Sequence, residues 1–106
     1  MNAVLDKYYP DLRKNLANWS EYAVQSWTAG LLLAQGVKDS GVTAAQAVTP
    51  ALITAGLGKV SGETLGGFSP PLTMTAGKPH PVDCWYVGRV QNGVAKQVGG
   101  LTCKKS

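Results

Sequence analysis

An Asn92-Gly93 dipeptide separates two runs of β-forming residues, and a cysteine lies outside each run, at Cys84 and Cys103. Trp85, Val87 and Val90 give the first run its bulk, and the short second arm runs from Val94 to Val98. Asn-Gly supplies the two positive φ angles of a two-residue type I′ turn, so the segment reads as a β-hairpin. Such a hairpin brings the cysteines side by side and predicts a Cα separation of about 4.4 to 6.8 Å if they bridge. Nothing obvious in the sequence pairs with it or packs on it except the helices upstream.

If oxidised, Cys84 and Cys103 close a loop of about twenty residues, for roughly 3 kcal/mol of stability, and imply an exported protein. Two reduced, half-buried thiols are the alternative. A metal site of His80, Asp83, Cys84 and Cys103 is a third reading, but no C-x-x-C or H-x-x-x-H spacing supports it. A Cys84–His80 nucleophile pair fares no better, because His80 sits between Pro79 and Pro81 with nothing nearby to orient it.

The 106 residues suffice for one domain, though 13 Gly and 6 Pro thin out the side chains available for a core. The net charge of +4 is scattered, with no basic patch interleaved with aromatics, which argues against nucleic-acid binding. Neither a phosphate-binding loop, a dinucleotide fingerprint, a zinc-protease motif nor a nucleophile elbow is present, so no enzyme is expected. The opening residues, Met1 to Lys7, carry an early Asp6 and no apolar core, so they are not a signal peptide. An export-type disulfide without an export signal predicts that Met1 is not the natural beginning and that a longer parent carries the signal.

Along the chain, Val4, Leu5, Tyr8 and Tyr9 read as a helix end stopped by Pro10. The main helix is expected to start at Asn18, with Glu21 completing a capping box, and to end at Ser40-Gly41. Trp19, Tyr22, Ala23, Ser26, Trp27, Gly30, Leu31, Ala34 and Val37 recur at helical spacing. Between Glu21 and Lys38 there is no charge, yet Gln25, Ser26, Thr28 and Gln35 are too polar for a membrane span. A helix laid on a sheet is the better reading, with Ala23, Ser26, Gly30 and Ala34 allowing strands to come close. Thr43-Ala44-Ala45-Gln46 has capping-box spacing for a second helical region, and Thr49 caps a short helix with Pro50 in its first turn. Gly56, Gly58 and Gly62 punctuate a loop, and Pro71 to Thr75 is extended, at a sheet edge or leading into a strand.

The order of these motifs resembles the C-terminal part of a type I periplasmic binding protein, in the Leu/Ile/Val-binding-like group that serves ABC transporters. The residues that carry the resemblance are Tyr8-Tyr9-Pro10-Asp11, Trp19-Ser20-Glu21-Tyr22-Ala23, Val42-Thr43, Leu65 to Thr73, Gly77-Lys78-Pro79-His80 and the hairpin from Cys84 to Gly93. It implies an α/β chain: residues 1–106 would be an incomplete C-terminal segment of such a fold, helices followed by a C-terminal β-hairpin. The implied function is that of the solute-binding component, or a fragment of it, delivering an amino acid or similar small solute to an ABC permease, with no cofactor. The parent protein would be periplasmic or extracellular. By position the resemblance makes Asn18, Trp19 and Ser20 ligand-binding candidates, while Asn18 as a plain cap and Trp19 as a packing residue stand beside that reading. Trp27, Trp85 and Tyr86 would pack the lobe, and Gly66, Gly67 and Pro71 would shape the crossing between lobes. A small self-associating interaction protein with no ligand site is the alternative in another functional class.

Overall fold

The structure is a computed structural model that describes residues 1–12, 14, 20–78 and 80–104. It is a small mixed unit of helices α1 (Asn2–Tyr8), α2 (Glu21–Asp39) and α3 (Pro50–Leu57), followed by strands β1 (Cys84–Gln91) and β2 (Val94–Cys103).

Helix α1 stops before Pro10 as the sequence predicts, and its Leu5 is buried. Helix α2 begins later than expected: Ser20 is its N-cap, with extended φ −129° and ψ 173°, and Glu21 is the first helical residue. The expected start at Asn18 falls outside the described residues. The Ser20 side chain makes no capping hydrogen bond, and Glu21 supplies the first-turn negative charge that suits the helix dipole. At the other end Ser40 donates its hydroxyl to the Val37 carbonyl at 2.6 Å, and Gly41 turns the chain out at φ 75°.

The helical region expected at Thr43 is only a turn. Thr43 N–H donates to Gln46 Oε1 at 2.9 Å, which is one half of a capping box, but Gln46 N–H donates to the Thr43 backbone carbonyl at 3.0 Å rather than to its hydroxyl, so the stretch closes as a turn without a helix behind it. Pro50 is the reason, because the residue before a proline is forced out of the helical region, and Thr49 is extended at φ −115° and ψ 155°. Thr49 does cap α3, its hydroxyl accepting from Leu52 N–H at 3.3 Å. Gly56 belongs to α3 rather than to the loop, and there α2 and α3 pack.

Beyond α3 the chain folds back on itself. Glu63 and Leu72 exchange backbone hydrogen bonds of 3.0 and 2.8 Å, and Met74 N–H donates to the Val60 carbonyl at 2.9 Å. The stretch from Pro71 to Thr75 is therefore held by two isolated bridges, Leu72 with Glu63 and Thr75 with Lys78, rather than leading into a sheet. Inside this loop Leu65, Gly66 and Gly67 take φ of 53°, 70° and 87° in succession. Leu65 tolerates a conformation that a side chain resists because it is buried and its N–H donates to Glu63 Oε1 at 2.7 Å.

The hairpin forms as the sequence predicts, with Asn92 at φ 52° and Gly93 at φ 74°. Its second arm is longer than expected, running to Cys103, because the ladder resumes beyond an irregularity where Tyr86 alone stands against Gly99, Gly100 and Leu101. Cys84 and Cys103 are paired in the register and joined by a disulfide as expected, but their Cα atoms are 4.0 Å apart, closer than the predicted lower limit of about 4.4 Å.

Among the described residues the strands pack on each other and α2 packs on α3, and the hairpin packs on no helix. The parallel strands that an α/β lobe would lay beneath α2 are not among the described elements. Of the face expected to meet a sheet, Tyr22, Ser26, Gly30 and Ala34 are exposed, while Ala23, Trp27, Leu31 and Val37 are half-buried. Trp85 and Tyr86, expected to be packed, are 48% and 55% exposed. Among the described residues the buried apolar side chains are Leu5, Val60 and Leu65. The radius of gyration is 16.9 Å, against about 13 Å for a compact domain of this length.

Candidate functional site

Of the three sequence-predicted ligand residues, Ser20 is described and Asn18 and Trp19 lie outside the described residues. Ser20, itself extended, sits at the mouth of α2, half-buried, and its carbonyl accepts from Ala23 N–H at 3.1 Å. Its hydroxyl is not consumed by capping, so it keeps a donor and acceptor near the helix N-terminus.

Two grooves border α2. The first, of about 360 Å³, lies where Trp27, Leu31 and Gln35 of α2 face Leu65, Gly66 and Phe68 of the glycine-rich loop. Its walls are set by the left-handed run at 65–67, which swings Phe68 toward the helix face. The polar groups here are turned inward on the chain: Gln35 Nε2 donates to both carboxylate oxygens of Asp39 at 2.9 and 3.0 Å, and Glu63 Oε1 accepts from Leu65 N–H. Sequence reading missed this groove, although Leu65-Gly66-Gly67-Phe68 flagged the loop that forms it.

The second groove, of about 240 Å³, runs between Leu32 of α2, the Pro71 to Met74 segment and the His80 to Cys84 lead-in to the hairpin. His80 Nδ1 lies 3.1 Å from the Pro81 carbonyl, which can only accept, so that nitrogen carries the proton. Asp83 accepts at its backbone carbonyl from Lys104 N–H at 2.7 Å, which ties the two ends of the hairpin together beyond the disulfide.

The disulfide also settles the cysteine chemistry. Neither Cys84 nor Cys103 is a thiolate, so the nucleophile reading and the four-residue metal set both lose their sulfur. Among the described residues no three His, Cys, Asp or Glu side chains converge on a metal position. No described helix is long and apolar enough to cross a membrane.

Both grooves are open and mainly apolar, and against the roughly 300–1,000 Å³ of a well-formed ligand pocket the first, about 360 Å³, is at the low end and the second, about 240 Å³, falls below it. They offer walls for an apolar body. The charged side chains at their borders are Glu63 in the first and Asp83 in the second.

Comparison of the chain with protein-family profiles, with curated proteins and with solved structures found no match.

Proposed function

We propose that the chain is the solute-binding component of an ABC transporter, or a fragment of it, in the manner of type I periplasmic binding proteins. Its solute is an amino acid or a similarly small molecule, its protein partner is the permease, and it performs no catalysis. The observation that carries this reading is the uncovered face of α2. Tyr22, Ser26, Gly30 and Ala34 form a stripe of one aromatic and three small residues that suits close packing on strands, and it stands exposed. A helix bearing such a face fits a chain meant to lie on a sheet that the described residues do not build. The disulfide supports an oxidising compartment, periplasmic or extracellular, for the parent protein.

In this reading Ser20, with Asn18 and Trp19, lines part of the solute cleft, and the groups that grip the solute's charges come from outside this segment. Calorimetry of the chain with a panel of amino acids should then show weak binding or none. Sequencing the DNA upstream of Met1 should show a signal peptide and βαβ units in frame. Micromolar binding by the chain alone would show a complete site and overturn the division of the cleft. An upstream region coding for neither would overturn the receptor reading itself.

A further inference from the structure

The hairpin has two outer edges, and they differ. The edge of β2 is interrupted where Gly99, Gly100 and Leu101 crowd against the single residue Tyr86, and Gly99 has φ 80°. The edge of β1 carries no proline and no extra residue over Cys84–Gln91, and no helix packs on it. An unblunted edge of this kind is a template for another strand.

The turn decides which backbone groups that edge offers. A two-residue turn closes on a hydrogen-bonded pair, here Gln91 and Val94, and the ladder then alternates. Val87, Arg89 and Gln91 therefore turn their amide and carbonyl groups toward β2, whereas Tyr86, Gly88 and Val90 turn theirs outward. Tyr86 and Val90 are also the two most exposed apolar side chains of β1, at 55% and 74%, and strand alternation puts them on one face of the sheet.

We propose that two copies of this chain pair antiparallel along β1, about a two-fold axis through Gly88, to make a four-stranded sheet. In this register Tyr86 of each copy lies opposite Val90 of the other, which covers both residues and gives an aromatic to β-branched pair twice. Gly88 meets itself on the axis without side chains to clash. Arg89 lies opposite Val87, so the pairing sets no like charges against each other, unlike the Arg89 and Lys96 pair inside the hairpin. The outward groups of Tyr86, Gly88 and Val90 all find partners. Seven opposed residues make a strip only about 24 Å long and one strand wide, which buries less than the roughly 1,600 Å² of a standard interface. The dimer is therefore weak, of micromolar or poorer affinity, and depends on concentration. This inference is independent of the receptor reading.

Sedimentation of the oxidised chain over a range of concentrations should show a reversible monomer–dimer equilibrium. Gly88→Cys should yield a covalent dimer on mild oxidation, with residue 88 joined to residue 88 in its peptide map, because opposed Cα atoms of a hydrogen-bonded pair stand about 5.5 Å apart. Tyr86→Lys should weaken the dimer by at least about tenfold, with cross-strand amide contacts of the hairpin unchanged by NMR, and Ala95→Lys on the β2 edge should not weaken it. A monomer at every concentration overturns the proposal. So does cross-linking through Val87→Cys or Ala95→Cys in place of Gly88→Cys, or a dimer that Tyr86→Lys leaves at full strength.

Discussion

Gly56 of α3 rests on the backbone of Gly36 in α2, so close that a methyl group at Gly56 would overlap the Gly36 carbonyl oxygen and stand 2.8 Å from Ser40 N. The two helices can cross at this distance only because neither carries a side chain at the contact. Lys59 reinforces the junction, its Nζ donating to the Asp39 carbonyl at 3.0 Å at the free end of α2.

Gly56→Ala should destabilise the helix pair even though alanine is the better helix former. Propensity favours the change by about 1 kcal/mol, but the obstacle is backbone, which cannot swing aside, and overpacking of this kind costs about 1–3 kcal/mol. Gly36→Ala meets the movable Leu57 side chain at 2.9 Å and should cost less. Gly30→Ala has nothing within 4 Å and should stabilise by about 0.5–1 kcal/mol. Thermal melts followed by helical circular dichroism rank the three, and an unharmed Gly56→Ala would contradict the contact.

Reduction of the Cys84–Cys103 bridge, or a Cys84→Ser and Cys103→Ser pair, should loosen the hairpin while sparing the α2–α3 pair. A two-stranded hairpin is marginal by itself in water, this one packs on no helix, and the bridge supplies roughly 3 kcal/mol. Amide exchange should accelerate across residues 84–103 and stay unchanged in 21–57. Equal acceleration in both regions would mean that the hairpin and helices unfold as one unit.

Gly93→Ala places a side chain at φ 74°, where an L residue is disfavoured by about 1–2 kcal/mol. The expected result is a frayed turn and fewer cross-strand contacts near Gln91 and Val94, read from NMR. Asn92→Gly, which suits the same left-handed geometry, should leave the register intact.

The isolated chain should bind a dye specific for exposed apolar surface and melt over a broad temperature range. Among the described residues the buried apolar side chains, Leu5, Val60 and Leu65, are few beside the exposed Tyr22, Leu33, Trp85, Tyr86, Val87 and Val90. Each 100 Å² left uncovered forgoes about 2.5 kcal/mol. A sharp cooperative melt from a monomer without dye binding would show a self-sufficient domain and sink the fragment reading.

Local rules made much of this protein legible in its sequence. Pro10 stopped α1, Thr49-Pro50 started α3, Ser40-Gly41 ended α2, and Asn92-Gly93 built the hairpin that brought Cys84 to Cys103. In each case the backbone preference of one or two residues decides the outcome whatever surrounds them. The same rules went astray at Thr43, where only the Gln46 side chain's half of the capping box formed and Pro50 lay too near for a helix. They also gave no warning that Leu65 would adopt φ 53°, because its burial and the Glu63 carboxylate stabilise that conformation from beyond its own dipeptide. The crossing of Gly36 on Gly56 depends on the angle at which two helices meet, and the length of β2 depends on where a bulge lets the ladder resume. Whether the face of Tyr22, Ser26, Gly30 and Ala34 is covered is likewise a matter of what stands opposite it. Periodicity identifies a face that can be buried, but burial needs a partner surface, and only the tertiary structure decides whether there is one.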